Sequence, residues 1–150
     1  MQEFPFTAEE WQNASEATRA LVNATLMDDE VLRAAKLAEL QIVLTGLRDR
    51  YGEHPVLLET EADFTDSPEN RVSLYERAEK LALEHRLPTY SIRLSFADVL
   101  LRDLAQPALA KAKLLQCHEG LLALGDKWDE GTWLELMAKC ERSSGNTERI

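Results

Sequence analysis

Apolar residues fall on helical stripes along almost the whole chain. Trp11, Ala14, Thr18, Leu21 and Val22 share one face, behind a capping box formed by Thr7 and Glu10 and a Phe6–Trp11 hydrophobic staple. The run Met27-Asp28-Asp29-Glu30 breaks the stripe and offers Asp28 or Asp29 as the next N-cap. The second helix runs through VLRAAKLAELQIVLTGLRDRY, with Arg48 and Arg50 at the negative pole of its dipole and Gly52 to close it. A shorter helix spans Pro55 to Phe64, and Ser67-Pro68 caps a fourth that carries Val72, Tyr75, Ala78, Ala82 and His85 on one face, flanked by Leu74 and Leu81. Leu87-Pro88-Thr89 ends it. The fifth, Tyr90 to about Asp103, is apolar nearly all round, which predicts packing on several sides. The sixth opens at Pro107 with Ala110, Leu114, Cys117 and Leu121 in step, and Gly125-Asp126 closes it. The seventh carries Trp133, Leu136, Met137 and Cys140, and the tail SSGNTERI is expected to fray. YSIRLSF alternates briefly, but its surroundings are helical. The pattern predicts an all-α protein of about seven helices with one domain over residues 1–150.

Helix starts recur near residues 29, 68 and 107, and 107 minus 68 is 39. The same offset joins Leu58 to Ala97 and Leu136, Ala62 to Leu101 and Cys140, Tyr75 to Leu114, Ala78 to Cys117, and Ala82 to Leu121. Arg71 with Ala110, Leu74 with Lys113 and Leu81 with Gly120 do not match. An ordinary helical bundle is the competing architecture and gives the same fold class.

The stretches LLETEADF with SLYERAEKLALEHRLP, LSFADVLL with ALAKAKLLQCHEG, and TWLELMAKC resemble the tetratricopeptide (TPR) repeat family or a close α–α solenoid relative. The period departs from that family's usual 34 residues. Glu59, Asp98 and Met137 stand where the family has a glycine, and Pro55 stands at an aromatic position. The resemblance implies antiparallel helical hairpins stacked as a short right-handed superhelix. It also implies a groove lined by Val56, Thr60 and Asp63, by Ile92, Ser95, Val99 and Arg102, and by Leu134, Ala138 and Glu141. The Lys and Asn set with which some family members clamp a C-terminal carboxylate is missing, so chaperone tails are not the implied ligand. The seventh helix has no second helix after it and is expected to cap the stack, with Glu135, Lys139 and Arg142 toward solvent.

Charge narrows the partners. The chain carries 27 acidic and 17 basic residues, a formal net charge of -10. Such a surface repels phosphate backbones and anionic lipid, so neither nucleic acid nor a membrane is expected as partner. The N-terminal MQEFPFTAEEW has no basic region followed by an apolar run, and two cysteines, Cys117 and Cys140, make no disulfide framework. A reducing, cytoplasmic setting is the expectation.

No catalytic signature emerges. His54, His85 and His118 lack a second ligand at chelating spacing, so no metal and no cofactor are expected. His54 is read as a solvent or capping residue. Cys117 and Cys140 fall where small core residues are wanted. The acidic cluster Glu53, Glu59, Glu61, Asp63, Asp66 and Glu69 is not an EF-hand loop and is read as a solvated segment. Trp11, Tyr75, Phe96 and Trp133 are read as core. A pocket gathering Asp98, His85 or Glu119 would revive an enzyme reading. The expected function is a non-catalytic protein–protein interaction module that binds a protein or peptide segment in a helical groove. The alternative is an acidic helical-bundle inhibitor or chaperone masking a basic or apolar surface of one dedicated partner.

Overall fold

A computed structural model of the chain describes residues 3–148, with side chains to residue 143. Seven helices and no strand occur among the described residues. The chain forms two compact units, residues 1–57 and 58–150, where the sequence pattern suggested one domain.

The first unit is a helical hairpin. Helix α1 (Ala8–Leu26) starts on the expected capping box: Thr7 Oγ1 accepts from the Glu10 amide at 3.1 Å and Glu10 Oε1 accepts from the Thr7 amide at 2.9 Å. Helix α2 (Glu30–Tyr51) starts on Asp29, whose carboxylate accepts from the Leu32 amide, and stops at Gly52, where φ is 80°. Ala14, Leu21 and Ala24 of α1 and Leu40, Leu44 and Leu47 of α2 are buried in the hairpin. Aromatic rings close its open end. Phe6 stacks on Trp11 with centroids 5.5 Å apart and meets Tyr51 and His54 edge to face, while Phe4 packs its edge on Phe6 and Trp11. Glu10 also accepts from the Tyr51 hydroxyl and pairs with Arg50, which ties the start of α1 to the end of α2. His54 is buried rather than solvated. Its Nδ1 accepts from the Val56 amide at 3.1 Å, a bond available because Pro55 forces a turn at the entry to the next helix.

The second unit holds the larger core. Helix α3 (Pro55–Asp63) crosses the boundary and contributes Leu58 and Ala62 to that core. It is followed by α4 (Pro68–Glu84), α5 (Tyr90–Arg102), α6 (Pro107–Leu124) and α7 (Lys127–Glu148). Ser67 caps α4 with Pro68 in its first turn, as its sequence predicts. Asp126 and Asp129 exchange backbone–carboxylate bonds of 2.9 and 3.3 Å that open α7. Helix α7 continues to Glu148, through most of the tail expected to fray; Arg149 and Ile150 lie outside the described residues.

Helix α5 is the centre of this unit. It packs against α4, α6 and α7, as its all-round apolar surface requires, and Ile92, Leu94, Phe96, Ala97, Val99 and Leu100 are buried. The 39-residue offset coincides with burial: Leu58, Ala97 and Leu136 are all core residues, as are Tyr75 and Leu114, Ala78 and Cys117, and Ala82 and Leu121. The pairs differ in detail, however. Helices α5 and α6 run closely along each other, whereas nine-residue α3 meets α4 chiefly through side chains such as the Tyr75 hydroxyl, which donates to Asp63. No described helix is long and apolar enough to cross a membrane.

Candidate binding surface on helix α6 and its adjoining cleft

Helix α6 carries almost no polar face. Ala110, Leu114, Cys117 and Leu121 face the core. On the opposite side Ala108, Ala112, Leu115, Glu119 and Leu122 recur at four- and three-residue steps, and all are exposed. Leu115 and Leu122 keep 57% and 60% of their surface, and Leu109, on a flank of the helix, keeps 56%. A helix that is hydrophobic all round is ordinarily covered. This one is covered on its core side by α5 and α7 and bears a single charge, Glu119, on its outer stripe.

The outer stripe runs into a cleft of about 360 Å³. One wall is the segment Leu87–Tyr90 at the entry to α5, and the other is the last two turns of α6, including Glu119, Gly120 and Ala123. Gly120 lets the walls approach: a Cβ there would stand 3.4 Å from the Tyr90 Cβ. Arg93 lines the cleft but is committed elsewhere. Its Nε donates to Glu79 at 2.8 Å and its Nη1 reaches the Gln116 carbonyl at 3.5 Å. Glu79 also accepts from Lys113 at 2.8 and 3.0 Å, and Lys113 lies 4.7 Å from the Phe96 ring centroid. Burial alone would raise the Glu79 carboxyl, but the bonds from Lys113 and Arg93 outweigh it and hold it below the usual range.

Acidic groups gather behind Tyr90. Burial raises its hydroxyl above the ordinary value, and the charges of Asp129, Asp126 and Glu59 push it further. Glu59 Oε2 accepts from Ser91 Oγ at 3.2 Å in the first turn of α5, where a negative group suits the helix dipole. Burial, with Asp63 and Asp129 adding like charge, raises the Glu59 carboxyl to about 7. Glu59 is therefore half-buried and proton-sensitive, not part of a solvated segment. Asp63 is likewise engaged, by Tyr75.

The residues expected to line a groove do not form one surface. Ile92 and Val99 keep only 2% and 1% of their surface, because they lie on the sides of α5 packed by other helices, away from its partly open stripe of Ser91, Ser95, Asp98 and Arg102. Val56 belongs to the first unit. Thr60 and Ser95 are half-buried, and Asp63 is the acceptor for Tyr75. Arg102 is exposed, pairs with Asp98, and donates to Glu135 of α7 at 3.4 Å. In α7 Leu134 and Glu141 are exposed and Ala138 is half-buried. Asp98 is thus tied to Arg102, His85 is exposed at the end of α4, and Glu119 borders the cleft. Cys117 and Cys140 are buried, and burial pushes the Cys117 thiol up to about 11, so it is protonated and unreactive at neutral pH. No group of three potential metal ligands occurs among the described residues.

Sequence reasoning missed the outer face of α6 and the cleft. The first had a signal: Leu109, Leu115 and Leu122 lie off the core stripe of their own helix. The second arises from two segments about thirty residues apart and leaves no periodic trace. Compared with known protein families, with curated proteins and with solved structures, the chain matches none.

Proposed function

We propose that the 58–150 unit is a non-catalytic protein-interaction module that receives an apolar helical segment of a partner protein along the outer face of α6. The observation that carries this reading is a helix whose stripe opposite the core is apolar but for Glu119 and holds two leucines, Leu115 and Leu122, that are more than half exposed. An amphipathic partner helix laid on that stripe would bury them at i, i+3, i+4 and i+7 anchor spacing. Stacking of α3–α7 as a TPR-like right-handed array belongs to the same proposal, and the shared burial of positions 39 residues apart supports it. The groove of the original expectation is replaced, because two of its residues are core.

The charge-driven alternative, an acidic bundle masking a basic surface, predicts a different salt response. The α6 stripe bears only Glu119, so docking there should persist when salt screens surface charge. The test is a photo-crosslinking residue placed at Leu115, at Leu122, and at exposed Glu76 of α4 as control, in cells that make the protein. The expected result is one adduct of common mass from positions 115 and 122, none from 76, stable in about 0.5 M salt. Leu122→Asp should abolish the adduct at 115 without lowering the melting temperature. Adducts equal at all three positions, or lost on adding salt, overturn the reading.

A further inference from the structure

We infer that the cleft beside Tyr90 takes an aromatic side chain, carried by the helical segment docked on α6. That a docked segment carries it rests on the docking reading above; the preference for a ring rests on the cleft alone. The cleft opens directly off the outer stripe, since Glu119 belongs to both. Its volume, about 360 Å³, admits a side chain as large as an indole. Leu87, Pro88, Ala123 and Leu124 supply apolar walls for it.

The charges on the lining disfavour an ion of either sign and still separate a ring from an aliphatic chain. The cleft holds one cation, Arg93, and one acid, Glu119. An ammonium would gain from Glu119 what it loses to Arg93, and a carboxylate the reverse. Arg93 is the richer contact. It shares the single carboxylate of Glu79 with Lys113, so that cluster keeps a positive surplus. Its bonds to Glu79 and to the Gln116 carbonyl run in the guanidinium plane, and 17% of its side chain stays open. The flat face of a guanidinium is weakly hydrated and stacks on rings. Lys113, the other cation on Glu79, already lies 4.7 Å from the centroid of the Phe96 ring, whereas no ring covers Arg93 among the described contacts. An aromatic ring is neutral overall, negative on its faces and positive at its edge. With a face on Arg93 and an edge toward Glu119 it complements both charges, which a leucine does not.

The probe is N-acetyl-tryptophanamide, titrated into the full chain and followed by amide chemical shifts. It should give saturable shifts at Tyr90, Gly120 and Ala123. N-acetyl-leucinamide, apolar without a π face, and N-acetyl-lysinamide, cationic, should bind more weakly. Arg93→Gln should weaken the tryptophan probe by about two- to fivefold, the scale of one cation–π contact at a solvated site, and leave the leucine probe unchanged. Ala123→Phe, at an exposed position, should fill the cleft and remove the shifts. Equal or tighter binding of the leucine or lysine probe to the wild type overturns the inference, and that comparison decides even where Arg93→Gln fails to fold. An Arg93→Gln protein that melts like the wild type and keeps the full preference overturns it as well. So do shifts that survive Ala123→Phe, or no saturable shift at about 20 mM, where a millimolar site would be filled. Missing crosslinks at Leu115 with the tryptophan probe still bound would remove the docked segment and leave the cleft's preference for a ring standing.

Discussion

The Trp133 indole lies parallel to the His118 imidazole, with ring centroids 4.3 Å apart, while its Nε1 donates to the Leu114 carbonyl at 2.8 Å. One side chain of α7 thereby grips two successive turns of α6. The bond to Leu114 is unusual because that carbonyl sits inside a helix, where α-helical pairing already uses one lone pair. Behind the ring, Leu136 and Cys140 are fully buried and Met137 is half-buried, so α7 covers one flank of α6.

Trp133→Ala should therefore lower stability by about 2–4 kcal/mol, somewhat less than for a fully buried tryptophan. Trp133→Phe keeps a stacked ring and loses the indole donor, and should cost about 1 kcal/mol. Urea unfolding of both variants measures the difference. A Trp133→Phe cost near zero would mean that the bond to Leu114 contributes nothing beyond ring burial.

Glu79 gives a second test. It joins Arg93 of α5 to Lys113 of α6, and its side chain keeps only 14% exposure. Glu79→Gln leaves two cations facing each other and should cost about 1–3 kcal/mol, because hydrogen bonds to charged groups are the strong ones. The carboxyl is held below its ordinary value, so the unfolded chain binds its proton first. The contribution is full above the unfolded value near 4.5 and fades as pH falls through the folded one. Melting temperatures of the wild type and Glu79→Gln should converge on acidification from pH 6 toward pH 3, roughly the range over which a carboxylate titrates. A gap that stays constant would remove Glu79 from the network.

Much of the fold was written in local chemistry. Thr7 with Glu10, Asp29, and Ser67 with Pro68 set helix starts through bonds within three residues, and such signals need no tertiary context. The burial of α5 was legible from its composition. The groove failed at Ile92 and Val99 because family positions were carried over onto the core-facing sides of α5, whose partly open stripe is instead Ser91, Ser95, Asp98 and Arg102. Of the two roles expected for His54, solvent or capping, it takes the capping one, through the Val56 amide, whereas Glu59 was misread as solvated because polarity alone was weighed. The Tyr90 cleft depends on the approach of α5 to α6, which no stripe encodes.

Three helix ends are closed by left-handed residues other than glycine: Asp28 at φ 56°, Arg86 at 57° and Ala105 at 50°. After α4 the Leu87 amide reaches back to the Ala82 carbonyl at 2.8 Å, the six-to-one bond of a Schellman closure, and after α5 the Gln106 amide reaches Leu100 at 2.8 Å, one residue further back. An L side chain in that conformation carries strain that glycine lacks. Ala105→Gly should therefore stabilise the protein by about 0.5–1 kcal/mol even though glycine loosens the unfolded chain. A rise in the urea midpoint at unchanged slope is the expected sign; a fall would mean that the unfolded-state entropy outweighs the relieved strain.

Glu59 supplies the prediction with the opposite pH sign to Glu79. Burial, with like charge from Asp63 and Asp129, lifts its folded value to about 7 from the ordinary 4.5. Between those two values the folded chain holds a proton that the unfolded chain has released, so stability falls as pH rises through this window and levels off above it. Glu59→Gln keeps an acceptor for Ser91 Oγ, 3.2 Å away, without the charge. It should leave stability near pH 4.5 almost unchanged and raise it by roughly 3 kcal/mol at pH 8, less where solvent screens the half-buried carboxyl. Chemical unfolding at both pH values reads this directly. The gain should also be absent from Glu53→Gln, a change in the same acidic stretch but on a residue of the first unit that pairs with Arg48 at 3.0 Å. Equal stabilisation by the two substitutions would reduce the effect to overall negative charge. A gain confined to Glu59 would tie it to the carboxyl beneath the first turn of α5.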